Sequence, residues 1–196
     1  MDTSISDINA YILTGGQSRR LIMDKSLALL NGQTLTEIIQ KKLSSLFNNI
    51  YVVGKENHFQ NYNFVEDVKP VQCPLNGIVS ALEHNQNDWI FIIACDLPLV
   101  KMETVNNLYN NIKLNTQVAV PLVNDYLQPL CAFYHKSVLN DFSAAIAKGD
   151  YSLMKLLRQI GSIKVKIPIV HEEQFLNINY LEDLEKAEEL LRTENN

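Results

Sequence analysis

The chain alternates between short apolar runs and longer segments in which apolar residues recur every three or four positions. The short runs have the length of strands, and the longer segments have the periodicity of helices. The clearest run is 89–95, Trp-Ile-Phe-Ile-Ile-Ala-Cys, in which every residue is apolar. A continuous run of this kind is typical of a central parallel strand that is covered on both faces.

Strands and helices follow one another along nearly the whole sequence. The pattern predicts strands at 8–13, 50–53, 64–67, 89–95, 118–121, 127–134 and 163–167. It predicts helices at 35–47, 75–84, 102–114, 137–147, 152–159 and 180–191. Thr34 and Glu37 form a capping-box pattern, and Pro129 indicates an edge strand or a bulge. The alternation predicts a doubly wound, mainly parallel α/β sheet with helices on both faces.

Length and composition are those of an ordinary globular protein. The 196 residues are 46% hydrophobic and 20% charged, so one domain with a substantial core is expected. The net charge of −5 argues against nucleic-acid binding by the whole surface. No apolar run reaches ~18 residues and no signal-peptide pattern opens the chain, so neither a membrane span nor secretion is expected. The three widely spaced cysteines favour reduced thiols and a cytoplasmic location.

A glycine-rich, cationic segment follows the first predicted strand. Gly15 and Gly16 end the strand, and Ser18, Arg20 and Lys25 follow within a short loop. Glycine allows the backbone to approach a ligand closely, and successive N–H groups in such a turn form an anion-binding concavity. An ordinary β-turn with surface cations would explain the glycines alone. The combination favours a phosphate-binding loop, although its spacing is that of neither a Walker motif nor G-x-G-x-x-G.

Two carboxylates follow predicted strands. Asp96 comes directly after the most apolar strand, and Asp67 ends the strand at 64–67. Ligands of doubly wound sheets bind at the carboxyl ends of the strands, so Asp96 is expected beside the glycine-rich segment. A carboxylate next to bound phosphates suits Mg²⁺, which makes Asp96 the predicted metal ligand. Asp96 could instead be a helix N-cap or a turn residue before Pro98, and Asp67 a turn residue before Pro70.

Several segments form a set of motifs that occur in one order from residue 12 to 191. The matching residues of the first motif are Leu13, Gly15, Gly16, Ser18, Arg20, Asp24 and Lys25. The later motifs are Pro74-Leu75-Asn76-Gly77, Cys95-Asp96-Leu97-Pro98, Gln128-Pro129-Leu130 and the 175–184 segment around Asn177 and Asn179. Together they resemble the molybdenum cofactor guanylyltransferases. The resemblance implies one Rossmann-like nucleotidyltransferase domain over 1–196, with a nucleotide-binding half at about 1–110 and an acceptor-binding half at about 111–196.

The resemblance also implies a reaction. GMP would pass from GTP to the terminal phosphate of molybdopterin with release of pyrophosphate, and Mg²⁺ would be the cofactor. The implied nucleotide-binding residues are Leu13, Thr14, Gly15, Gly16, Lys25, Asp67 and Asp96. The implied catalytic residues are Arg20, Lys25 and Asp96, and Asp96 would hold the metal. The implied acceptor-binding residues are Gln128, Asn177 and Asn179.

Further consequences of the resemblance concern partners and alternatives. Proteins that deliver or accept the molybdenum cofactor are expected partners, and nucleic acid and membranes are not. Asn177 and Asn179 could also act as caps of the helix that follows them. Within the same fold, cytidylyl transfer and transfer to a sugar phosphate stay open, as does a non-catalytic nucleotide-binding assembly protein.

Three departures from the family pattern bear on these alternatives. Ile22 and Cys73 each stand where the family has glycine. After the second strand the family has an asparagine near the guanine, whereas this chain has Gly54 and Lys55. The sequence therefore leaves the choice between guanine and cytosine open.

Overall fold

A computed structural model of the chain describes residues 4–14, 28–58 and 61–194. The strands in these ranges are β1 (Asn9–Leu13), β2 (Leu29–Leu30), β3 (Gln33–Thr34), β4 (Ile50–Gly54), β5 (Asn63–Glu66), β6 (Trp89–Ala94), β7 (Val118–Val123), β8 (Tyr126–Leu127), β9 (Cys131–His135) and β10 (Ser162–Lys166). The α-helices are α1 (Leu35–Leu43), α2 (Pro74–His84), α3 (Met102–Asn110), α4 (Leu139–Ala147), α5 (Leu153–Gln159) and α6 (Leu181–Glu194). Short 3₁₀ helices occupy Ile5–Asp7, Lys136–Val138 and Ile169–Phe175.

One mainly parallel sheet organises the protein. Its strand order is β10-β7-β9-β6-β1-β4-β5, and β8 pairs with β7. Strands β5, β4, β1 and β6 are parallel to one another, and β7 is parallel to β10. Strand β9 is antiparallel to both β6 and β7, and β8 is antiparallel to β7. Leu13 pairs with both Val53 and Ala94, so β1, β4 and β6 end at the same edge of the sheet. The predicted fold class is confirmed.

Helices cover both faces of this sheet. Alternate residues of a strand point to opposite faces, so Phe91 and Ile93 join one buried cluster and Ile90 and Ile92 join another. Helices α1 and α3 contribute to the first cluster, and α2, α4 and α5 contribute to the second. Helix α6 packs through Ala187 on a third, smaller cluster. Strand β6 is buried along its whole length, as its apolar sequence predicts.

The prediction of one continuous strand over 127–134, at an edge or with a bulge at Pro129, is wrong. The structure has two strands there, β8 and β9, separated by a turn around Pro129. The N–H of Cys131 donates to the carbonyl oxygen of Gln128 at 3.1 Å across this turn. Proline lacks the N–H that an interior strand needs, so it lies in the turn and leaves β9 free to pair on both sides, between β6 and β7.

Two helices end earlier than their periodicity predicts. Helix α3 ends at Asn110, and Leu114, which extended the apolar pattern, is 93% exposed. Helix α1 ends at Leu43, although hydrogen-bonded turns continue and the N–H of Phe47 donates to the carbonyl oxygen of Leu43. The predicted capping box at the start of α1 is present, with Thr34 and Glu37 bonded reciprocally.

Candidate functional site

Asp96 lies where β1 and β6 end side by side. The N–H of Cys95 donates to the carbonyl oxygen of Leu13 at 3.0 Å, which continues the pairing of the two strands. Asp96 is the next residue; it is half-buried, and its Oδ1 atom is buried. The structure therefore places this carboxylate beside the start of the glycine-rich segment, as the sequence predicts for adjacent parallel strands.

Thr14 is the last described residue before that segment. Its N–H and its hydroxyl Oγ1 both donate to the carbonyl oxygen of Val53, each at 2.9 Å. A Cβ atom built on Gly54 would lie 2.5 Å from Oγ1 of Thr14. Only glycine therefore fits at the end of β4 while Thr14 keeps this position.

Asp67 lies farther along the same edge of the sheet. Its N–H donates to the carbonyl oxygen of Gly54 at 2.9 Å, which fixes it beside the end of β4. Burial raises the pKa of the Asp67 carboxyl above its usual range, against smaller opposing effects of the Ser80 hydroxyl and the Lys55 ammonium group. The edge thus carries Asp96, Thr14 and Asp67 in spatial order along β6, β1, β4 and β5.

Gln128 lies on the other side of Asp96. The N–H of Ala94 donates to the carbonyl oxygen of Leu130 at 2.8 Å, so the turn at 128–130 is fastened to the end of β6. Gln128 is half-buried and lines a surface pocket of about 430 Å³. Other residues that line this pocket include Asn124, Tyr126, Glu172, Phe175, Leu176 and Lys186.

The segment that carries Asn177 and Asn179 also reaches Asp96. The N–H of Ile178, between them, donates to the carbonyl oxygen of Asp96 at 2.9 Å. Asn177 is exposed and Asn179 is half-buried. The start of α6 is capped by Asp183, whose Oδ2 accepts hydrogen bonds from the N–H groups of Asn179 and Tyr180. The structure therefore brings Gln128, Asn177 and Asn179 into the surroundings of Asp96.

Helix α2 packs against this edge through the 74–77 motif. A Cβ atom on Gly77 would lie 3.1 Å from a methyl carbon of Leu13, so glycine permits a close approach of helix and strand. Asn76 is completely buried and bonds to the backbone of Lys69 and Val71. In the sequence, Asn76 is marked only as a polar residue at an apolar position of the helix, and no role follows from that pattern.

The remaining predicted site residues are Gly15, Gly16, Arg20 and Lys25, and they lie outside the described residues, as does Ile22. Within 4–14, 28–58 and 61–194, no group of three histidine, cysteine or acidic residues could hold a metal ion. Mg²⁺ typically uses one or two carboxylates together with substrate phosphates and water. A single carboxylate at Asp96 fits that pattern of coordination. In the same ranges, no helix combines the length and the apolar character that crossing a bilayer requires.

The sheet, with an acidic residue at the end of a central strand and a glycine-rich segment after its neighbour, defines a doubly wound α/β protein whose candidate ligand site lies at the carboxyl ends of its strands. Residues 10–164 match the family model described as the MobA-like NTP transferase domain, and the chain belongs to this family.

Relatives with curated names match over nearly the full length of the chain. A protein of Aquifex aeolicus named "Probable molybdenum cofactor guanylyltransferase" is 33% identical over 187 residues, which cover 93% of this chain and 92% of the relative. The molybdenum cofactor guanylyltransferase of Campylobacter jejuni subsp. doylei is 29% identical over 191 residues, which cover 96% and 99%.

A solved structure shows the same fold. It is the molybdopterin-guanine dinucleotide biosynthesis protein A of Archaeoglobus fulgidus, with a TM-score of 0.80 and 24% sequence identity. The match covers 95% of this chain and 100% of that one.

Proposed function

We propose that this protein transfers GMP from GTP to the terminal phosphate of molybdopterin and releases pyrophosphate. The named relatives and the family support the proposal. The observation that carries it is that polar residues lie on both sides of Asp96 along one edge of the sheet. Thr14 and Asp67 lie on the side of β4 and β5, and Gln128 lies on the side of β9.

The nucleotide would bind on the side of β4 and β5. Its phosphates would lie at the glycine-rich segment, where Leu13, Thr14, Gly15, Gly16 and Lys25 supply backbone groups and positive charge. The nucleoside would extend toward Asp67. Asp96 would hold Mg²⁺, which supplies positive charge to the α- and β-phosphates when it is bound.

The acceptor would bind on the side of Gln128. The amides of Gln128, Asn177 and Asn179 offer donors and acceptors that suit the polar edge of a pterin, and the adjoining pocket has room for a ring system. A phosphate oxygen of molybdopterin would attack the α-phosphorus of GTP, and the bond from that phosphorus to the bridging oxygen would break.

The attacking phosphate is already anionic, so the reaction needs no general base. Positioning and charge neutralisation carry phosphoryl transfer of this type. Arg20 and Lys25 would stabilise the charge that develops on the leaving pyrophosphate. The opposite approach of the two substrates to Asp96 suits an in-line displacement.

The experiment is a transfer assay with purified protein, molybdopterin, MgCl₂ and either GTP or CTP. We expect pyrophosphate release and a guanine dinucleotide product with GTP, and neither product when molybdopterin or Mg²⁺ is omitted. Turnover with CTP but not with GTP would instead support a cytidylyltransferase. Nucleotide binding without turnover would support a non-catalytic assembly protein.

A cytoplasmic location and partners that deliver or accept the cofactor stay predictions.

A further inference from the structure

The segment after β5 is held by a buried side chain of α2. Residues 68–71 belong to no helix or strand, and both Val68 and Lys69 are exposed. The carboxamide of Asn76 reaches this segment: Oδ1 accepts from the N–H of Lys69 at 3.2 Å, and Nδ2 donates to the carbonyl oxygens of Lys69 at 2.8 Å and Val71 at 3.0 Å. These bonds replace the partners that a neighbouring strand would supply.

A second side chain of α2 extends this attachment to Asp67. Oγ of Ser80 accepts from the N–H of Val68 at 2.9 Å. The same oxygen lies 2.9 Å from the carbonyl oxygen of Asn76 and 3.4 Å from Oδ1 of Asp67, so its single hydrogen can go to either. On the solvent-exposed side of the segment, the ammonium group of Lys55 donates to the carbonyl oxygen of Pro70 at 3.3 Å.

The attachment through Asn76 is strong for a physical reason. Asn76 is 0% exposed. Burying its amide without hydrogen-bond partners would cost roughly 2–7 kcal/mol of folding free energy. The three bonds to the segment avoid this cost, and the segment is therefore fixed relative to α2. Helix α2 is itself fixed to β1 through the contact of Gly77 with Leu13.

The position of the segment connects it to the nucleotide. Asp67 follows β5, which is two strands away from β1. Adjacent strands are about 4.8 Å apart, so Asp67 lies about 10 Å from the end of β1 along the edge of the sheet. This is about the distance from the phosphates of a nucleotide to its sugar and base.

We propose that Asn76 is a positioning residue for the nucleoside part of the nucleotide. It fixes residues 68–71 and, together with Ser80, the orientation of Asp67, so that the segment forms the wall of the nucleoside site. The inference rests on the proposed function, because it requires a nucleoside triphosphate at this edge. Asn76 touches the segment rather than the nucleotide, and its effect on binding is indirect.

The test compares a complete nucleotide with its phosphate part alone. We would measure binding of GTP, CTP and inorganic tripolyphosphate to the full-length protein and to Asn76→Ala by titration calorimetry with Mg²⁺. We expect Asn76→Ala to weaken binding of the preferred nucleotide about tenfold, and tripolyphosphate binding to change less than about twofold. General damage to the fold would weaken both ligands alike.

Gln117→Ala is the matched control. Its side-chain amide also holds a neighbouring segment, through bonds to Gly161 and Ser137, but it lies at the opposite edge of the sheet. We expect Gln117→Ala to leave the binding of both ligands unchanged. Ser80→Ala is a smaller change that keeps the test decisive if Asn76→Ala does not fold. It should also weaken the binding of the nucleotide more than the binding of tripolyphosphate.

The outcomes separate the two proposals. Normal nucleotide binding by both α2 variants, or an equal loss of nucleotide and tripolyphosphate, overturns the role of Asn76 and leaves the proposed function intact. A wild-type protein that binds neither GTP nor CTP overturns the proposed function, and the inference with it.

Discussion

The backbone N–H of Ile178 donates a 2.9 Å hydrogen bond to the carbonyl oxygen of Asp96. This bond joins the C-terminal segment that carries Asn177 and Asn179 to the residue that ends the central strand β6. The side chain of Ile178 is fully buried beside α6, which holds the segment in place. The residues proposed to bind the acceptor and the proposed metal ligand are therefore joined by a direct backbone hydrogen bond.

Asp96→Asn should remove Mg²⁺-dependent turnover and leave the fold intact. The amide keeps the shape of the side chain but loses the charge that a hard cation requires. We expect pyrophosphate release to fall at least about 100-fold, with an unchanged thermal unfolding temperature. Asp88→Asn is the control, because it removes an exposed carboxylate that pairs with Lys136 outside the proposed site. Near-normal activity of Asp96→Asn would contradict the metal role.

Asp67→Asn should stabilise the protein at neutral pH and weaken nucleotide binding. Burial raises the folded-state pKa of Asp67, so the folded protein retains the proton to higher pH than the unfolded chain. The wild-type free energy of unfolding should therefore fall as pH rises from the usual carboxyl pKa through the raised one.

In Asp67→Asn this contribution to the pH dependence is absent. Urea unfolding of the wild type and of Asp67→Asn, at on the order of ten pH values between about 3.5 and 8, measures how the free energy of unfolding of each protein depends on pH. If the free energy of unfolding of Asp67→Asn minus that of the wild type does not grow with pH, the fold does not favour the neutral form of the Asp67 carboxyl.

Asn177→Ala should raise the KM for molybdopterin several-fold and leave the KM for GTP unchanged. The side chain is exposed and donates only a weak 3.3 Å bond to the carbonyl oxygen of Phe175, so stability should hardly change. Asn107→Ala is the control, because Asn107 of α3 is exposed and its Oδ1 only accepts a local bond from Nδ2 of Asn111 at 3.1 Å. A rise in the KM for GTP alone would place Asn177 on the nucleotide side.

Gly54→Ala should destabilise the protein by about 1–3 kcal/mol, the usual cost of overpacking. The added methyl group would lie 2.5 Å from Oγ1 of Thr14, so either that side chain must leave its hydrogen bond to Val53 or the ends of β1 and β4 must shift. Thr14→Ala removes that oxygen, and the cost of Gly54→Ala should be smaller in its background. Chemical denaturation of the two single variants and the double variant measures this coupling; strictly additive effects would contradict the clash.

Local signals in the sequence predicted much of the fold. The apolar run at 89–95 marked the buried strand, and Thr34 and Glu37 marked the start of α1. Periodicity describes which residues are apolar, and it carries no information about which strands are neighbours. The position of β9 and the turn at Pro129 were therefore missed.

The candidate site was predictable to a similar degree. Parallel strands of such a sheet end at one edge, so the placement of Asp96 and Thr14 at the same edge follows from their positions after predicted strands. That β1 and β6 are direct neighbours is seen only in the structure. The proposed role of Asn76 depends on a side chain that reaches back five and seven residues to an irregular segment. No helical or strand periodicity encodes such a contact, so only the structure could reveal it.

The placement of β9 has a consequence for protein synthesis. Strand β6 emerges from the ribosome before residues 131–135, which occupy one of its two hydrogen-bonding edges. Until then a nascent chain presents an entirely apolar strand with one open edge, a surface to which other chains can attach. The first 110 residues therefore cannot form a finished sheet on their own, because the central strand β6 is completed by residues 131–135.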